Sequence, residues 1–114
     1  MKFKSEYHRK HYEAWMLQSE HPEWERKKFK NPLFSESGCY ACDEAWYIRR
    51  RIIQKTFYSY NNKRRCLYCP IDWGTRVCMD KGSVFMNWCH EKDPKKSSEL
   101  CVIIANMEWR IKNE

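Results

Sequence analysis

Two cysteine pairs constrain this chain more than any other feature: Cys39-Tyr40-Ala41-Cys42 and Cys66-Leu67-Tyr68-Cys69, with 23 residues between them. Each pair is a C-x-x-C, a turn that aims two sulfurs at one point about 2.3 Å away, and two such turns suit a closed tetrahedral Zn2+ site. A single C-x-x-C is weak evidence, whereas two at this gap match zinc ribbons and treble clefs. Cys39, Cys42, Cys66 and Cys69 are therefore the expected ligands of one structural zinc. Iron–sulfur ligation uses the same four thiolates, and a thioredoxin-type redox pair would need a βαβ frame that the sequence does not display.

The remaining cysteines and the charge pattern support a reduced, cytoplasmic setting. Seven Cys is an odd number and argues against a fully paired disulfide framework. In a reducing compartment paired C-x-x-C motifs are more often metal ligands than disulfides. The first 20 residues carry Lys2, Lys4, Glu6, Arg9, Lys10, Glu13 and Glu20, which leaves no apolar signal core. The longest apolar run, residues 100–105, is far short of the roughly 20 residues of a membrane span. Residues 1–114 are read as one zinc-stabilised domain, cytoplasmic and without a membrane partner.

The periodicity is that of a mainly α small domain with little strand, built around one four-cysteine zinc site with zinc-ribbon or treble-clef-like knuckles. Tyr7, His11, Trp15 and Tyr12, Trp15, Met16 recur at helical steps, which predicts a helix over residues 3–20 ended by His21-Pro22. Pro22 to Glu25 would open a second short helix, followed by a loop through Asn31-Pro32 and residues 35–38. Asp43-Glu44 suits a helix start, with Ala45, Ile48 and Ile52 on one face. Pro70 to Gly74 reads as a single helical turn capped by glycine. Ser83 is the expected N-cap of a helix to about Lys92, with Asp93-Pro94 breaking it. Ser97 or Ser98 would cap a last helix to about Lys112, its buried stripe formed by Leu100, Ile103, Ile104, Met107 and Ile111.

The positive charge is concentrated between the cysteine pairs. Residues 47–65 contain Arg49, Arg50, Arg51, Lys55, Lys63, Arg64 and Arg65 and no Asp or Glu. The chain's net charge is +7, so this stretch carries all of the excess. Tyr47, Phe57, Tyr58 and Tyr60 are interleaved with it. Lys and Arg on phosphates give sequence-independent affinity and aromatics stack on unpaired bases. Arg and aromatics equally anchor protein interfaces. The plainest reading is a solvated helix face with its tyrosines packed inward.

Enzyme readings fit poorly. His21-Pro22-Glu23 before a C-x-x-C has the outline of the zinc-deaminase signature, but Gly38 and Arg65, not proline, precede the two pairs. Cys89-His90 are neighbours that point apart on a helix. A second metal site from Cys78, Cys89, His90 and Cys101 stays open, beside the simpler reading of buried cysteine as a small hydrophobe.

The pattern C-Y-A-C-D-E-A followed by C-L-Y-C-P-I-D-W-G, with a later lone Cys and a closing apolar helix ending near Trp109-Arg110, resembles small cysteine-rich proteins of tailed phages and of prophages in Gram-positive bacteria. In those, an early Trp-bearing helix precedes a C-x-x-C, and a C-x-x-C-P-x-x-W follows; Trp15, Trp24 and Trp73 occupy those places here. The resemblance implies zinc on Cys39, Cys42, Cys66 and Cys69 and implies no activity. A phage treble-clef nuclease would need a His array beside the metal, and no His lies between Pro22 and Trp88. The expected function is a non-enzymatic binding protein that modulates a host or defence protein in the bacterial cytoplasm, in the manner of anti-CRISPR inhibitors, or a protein–nucleic acid complex. Arg49, Arg50, Arg51, Lys55, Lys63, Arg64 and Arg65 would form its contact surface. The alternatives are a nucleic-acid-binding zinc protein and a small metal-dependent enzyme.

Overall fold

The computed structural model describes residues 2–24, 31–34, 39–45, 47, 69–74 and 78–110. Cys66 and the seven basic residues from Arg49 to Arg65 lie outside them, as do the expected turn at 61–63 and Ile48 and Ile52 of the helix expected after Asp43-Glu44. The described part is mainly helical, with little strand.

Helix α1 spans Glu6–Glu20. Ser5 caps it, its Oγ accepting from the His8 N–H at 3.1 Å and so satisfying one of the orphan donors of the first turn. His21, ahead of Pro22, ends it. The face turned inward carries Ala14 and Trp15, but also His8, His11 and Gln18. A buried polar side chain is tolerated where its bonds are made. His11 Nε2 donates to the Ile104 carbonyl at 2.9 Å. Gln18 Nε2 donates to the Trp24 carbonyl at 2.8 Å. Asn31 Nδ2 donates to the Ala14 carbonyl at 2.9 Å and to Gln18 Oε1 at 3.2 Å.

Helix α2 spans Val84–His90, with Ser83 as N-cap to Met86 N–H at 3.0 Å, as its sequence predicts. Helix α3 differs from expectation at both ends and spans Pro94–Ala105. Asp93-Pro94, expected to break the preceding helix, which ends at His90, also starts this one. Asp93 Oδ1 accepts from Lys95 N–H at 3.0 Å, and proline at the first helical position forfeits only an N–H that has no partner there. The far end closes at Asn106, whose side-chain amide donates to the Val102 carbonyl at 2.9 Å. The buried residues of α3 are Ser97, Cys101, Ile104 and Ala105. Ile103, expected inside, is exposed. The inward stripe is rotated from the most apolar one, with Ser97 and Cys101 buried in place of Ile103.

α1 packs along α3, and α2 against α3. Trp15, Trp73, Phe85, Trp88, Ile104 and Trp109 form the centre of the core. Pro70 to Gly74 is not helical, contrary to its expected reading. Ile71 forms an isolated antiparallel bridge with Trp109, and Arg110 N–H donates to the Pro70 carbonyl at 2.8 Å. Gly74 N–H donates to Asp72 Oδ1 at 2.9 Å. Gly74 itself takes φ +78°, a conformation that costs a residue with a Cβ.

His11 makes the fold sensitive to acid. Burial lowers its pKa to about 4, assisted by His8 and opposed by the bond to Ile104. An unfolded histidine titrates near 6.5, so the unfolded chain takes up the proton first as pH falls. Stability is complete above about pH 6.5 and is lost progressively down through pH 4, by about 3 kcal/mol. Urea midpoints across this window, compared with those of His11→Gln, are expected to show a shallower loss in the variant. Identical pH profiles would exclude His11 as the source.

Candidate metal centre

The first cysteine pair sits in the first turn of a helical segment, residues 40–45. The helix begins at the C-x-x-C itself, ahead of Asp43-Glu44, where the sequence suggests a start. Asp43 N–H donates to the Cys39 carbonyl at 3.1 Å, a helical i→i−4 bond. Cys42 N–H approaches Cys39 Sγ at 3.5 Å. This backbone N–H to sulfur contact stabilises negative charge on the sulfur, as a metal ligand requires. Ala41 and Ala45 are fully buried, and the absence of bulk at both lets the segment lie close on the core. Tyr40 OH donates to the Leu33 carbonyl at 2.7 Å and ties the same turn to residues 31–34.

Cys69 comes from the other pair and is buried in the core cluster with Ala41. The Cys39 thiol is held well above the ordinary thiol range. The contact with the Cys42 side chain is the main cause, then burial, with Cys69 adding electrostatically. Two sulfurs in contact resist joint ionisation. Trp73, four residues after Cys69, lies in the same cluster. Its indole N–H is buried with no hydrogen-bond partner among the described residues, a position that costs about 1–3 kcal/mol.

Among the described residues, no group of three or more His, Cys, Asp or Glu is disposed to hold a metal ion. Cys39, Cys42 and Cys69 are all described and are not gathered into such a group, while the fourth expected ligand, Cys66, lies outside the described residues. The second site weighed from Cys78, Cys89, His90 and Cys101 is not formed: all four are described, and they do not come together as a ligand set. Cys89 and His90 are exposed on α2, whereas Cys101 is fully buried on α3. Burial pushes the Cys101 thiol up to about 12 against a hydrogen bond from Trp88, so it behaves as a small core side chain and not as a nucleophile.

Sequence reasoning misses Glu44. Its place suggests a helix start, but it is buried, and one of its oxygens is shared. Glu44 Oε2 accepts from Trp109 Nε1 at 2.6 Å and from Ser5 Oγ at 2.9 Å. Burial raises its pKa, and the bonds from Ser5 and Trp109 oppose the rise. Trp109 also stacks on His8, with ring centres 4.9 Å apart and 10° between planes. No periodicity reports such a contact, which joins residues 65 apart in the chain. No helix among the described residues is long and apolar enough to cross a membrane. Comparison with protein-family models, curated proteins and solved structures finds no match for this chain.

Proposed function

We propose that this chain is a non-enzymatic binding protein whose centre is fixed by one structural Zn2+ on Cys39, Cys42, Cys66 and Cys69. The carrying observation is the Cys42 N–H on Cys39 Sγ at 3.5 Å, at the head of a helical turn that places Ala41 and Ala45 in the interior. Four thiolates would complete the ion's coordination and leave it no open position, so the metal would brace the fold and do no chemistry. The buried polar groups support the same reading. His11, Gln18, Asn31 and Glu44 are each committed to a bond that joins one part of the chain to another.

The partner surface in this reading is the basic stretch from Arg49 to Arg65, and the partner is a host or defence protein of a bacterial cell. Phage proteins of this size commonly act by occupying such targets, in the manner of anti-CRISPR inhibitors. Capture from a bacterial lysate by the tagged wild-type chain is expected to enrich one protein. The variant carrying Arg49→Ala, Arg50→Ala and Arg51→Ala should lose it. Equal capture by both would remove the basic stretch from the interface.

One observation favours nucleic acid as a second reading. Tyr47, at the head of the basic stretch, is 51% exposed and offers a ring on which a base can stack. In that case a labelled single strand would bind at low salt, with affinity falling steeply as salt rises. The triple arginine variant would lower the salt slope by about 2–3. No shift at low salt would discard this reading.

A further inference from the structure

We infer that a cleft beside the stacked His8–Trp109 pair is a binding site for a small organic carboxylate. The cleft has a volume of about 470 Å3 and lies between the start of α1 and the chain that ends α3. Lys4 and His8 line it from one side and residues 105–110 from the other. Its size falls within the roughly 300–1,000 Å3 of small-molecule pockets. No cysteine is among its lining residues, so the site goes beyond the metal reading and does not rest on it.

The observation that calls for a ligand is a buried donor. His8 is only 9% exposed. Its ring is held by stacking on Trp109 and by Phe3 edge-on, with centres 5.2 Å apart. Its Nδ1 accepts from the Lys4 N–H at 2.9 Å. Burial, with Lys4 adding, lowers its pKa. The ring is therefore neutral near neutral pH, and its one proton sits on Nε2. That N–H has no partner among the described residues. It is not sealed in either, since Trp73 Nε1 is the one side-chain atom fully enclosed without a partner there. Nε2 thus opens to the cleft that His8 lines, and a donor so placed gains by meeting an acceptor.

The charges select the acceptor. Two cations line the cleft, Lys4 and Arg110, against one carboxylate, Glu108. Arg110 Nε donates to Glu108 Oε1 at 2.9 Å, and that bond, with Lys4 adding from further off, keeps Glu108 ionised. Asp72, off the cleft, also bears on Arg110. The exposed Lys4 ammonium, without an ion pair among the described residues, is the cation left for a ligand. One negative charge balances the lining, which fits a carboxylate better than a dianionic phosphate. α3 ends at the cleft, but its Val102, Ile103 and Ile104 carbonyls already accept from Asn106 and Met107, which blunts the negative end of its dipole. The carboxylate would accept from His8 Nε2–H and Lys4 Nζ, and an apolar body would lie against Met107.

The test is titration of the full 15N-labelled chain with benzoate near neutral pH, followed by backbone amide shifts. Shifts at Lys4, His8 and residues 105–110 are expected to saturate with a dissociation constant of about 1 mM. Benzamide, of the same shape but uncharged, and inorganic phosphate, which lacks the apolar body, should each bind about tenfold more weakly. His8→Phe keeps a ring on Trp109 and removes the Nε2 donor, and should weaken benzoate by about tenfold or more. Lys4→Met should weaken it by about two- to fivefold; Lys4 is exposed, so this variant serves if His8→Phe fails to fold. Lys10→Met is the control, exposed on α1 but outside the cleft, and should bind as wild type. No shift at about 20 mM benzoate, twenty times the expected constant, would overturn the site. So would benzamide or phosphate binding as tightly as benzoate, shifts centred elsewhere, or a Lys4→Met loss no greater than that of Lys10→Met.

Discussion

Serine in place of Cys42 is expected to leave the chain without its native tertiary structure, and removal of zinc by a strong chelator should do the same to the wild type. A structural zinc contributes on the order of 10–16 kcal/mol of apparent binding free energy. Typical domains have only about 5–15 kcal/mol of net stability. On the proposed zinc reading, losing one of four ligands would therefore remove a contribution as large as the whole. Cys42 also contributes the N–H that approaches Cys39 Sγ, and its helical turn carries Ala41, Ala45 and Glu44 into the interior. Near-ultraviolet circular dichroism and metal content, read together, check this. The other cysteines provide the contrast. Cys89 is exposed on α2, and Cys89→Ser should stay within about 0.5 kcal/mol of wild type. Cys101 is fully buried, so Cys101→Ser should cost about 1–3 kcal/mol for an imperfectly bonded hydroxyl. Native-like Cys42→Ser with unchanged denaturation would remove zinc as the centre of the fold.

The parts of the fold readable from sequence are those decided within a few residues. Ser83 is legible as the cap of α2 because capping needs only a hydroxyl and an N–H three residues on. The existence of α1 is legible from Trp15 and its helical neighbours. Its inward face is not, because His8, His11 and Gln18 are polar and tolerate burial only through partners at Lys4, Ile104 and Trp24. α3 shows the same limit differently. Apolar spacing places Ile103 inside and begins the helix at Ser97 or Ser98. The start is set instead by Asp93 and Pro94, and the inward stripe by what α1 presents to it. Cys39, Cys42, Cys66 and Cys69 are named as candidate ligands on spacing alone, which is a local property, and the described three, Cys39, Cys42 and Cys69, form no metal-holding group. The bond from Trp109 to Glu44 is not legible, because it joins residues 65 apart, and a carboxylate in a first turn looks like an ordinary helix start.

Trp15→Ala should be the most damaging single change outside the cysteines, at about 3–5 kcal/mol. Trp15 is only 5% exposed and is where α1, α2 and residues 31–34 meet. Its ring stands edge-on to Trp88, with centres 4.8 Å apart and 82° between planes. It meets Phe34 at 5.1 Å and Phe85 at 6.4 Å, again near perpendicular. Each such pair adds about 0.5–1.5 kcal/mol beyond the area buried, but the three share one ring and do not add independently. Alanine would open a space that the rigid faces of Trp88 and Phe34 cannot collapse to fill, which puts the loss in the upper part of the range. Trp15→Phe keeps an aromatic edge and should cost clearly less. Val102, on the outer face of α3 and 40% exposed, marks the opposite case, and Val102→Ala should stay near wild type. Urea midpoints at saturating zinc, with the slope unchanged, would measure all three. A Trp15→Ala loss below about 1 kcal/mol would mean that the aromatic cluster is not what holds α1 to α2. In that event the bond from His11 to Ile104 and the Ser5–Glu44–Trp109 link would have to hold α1 against the rest of the fold.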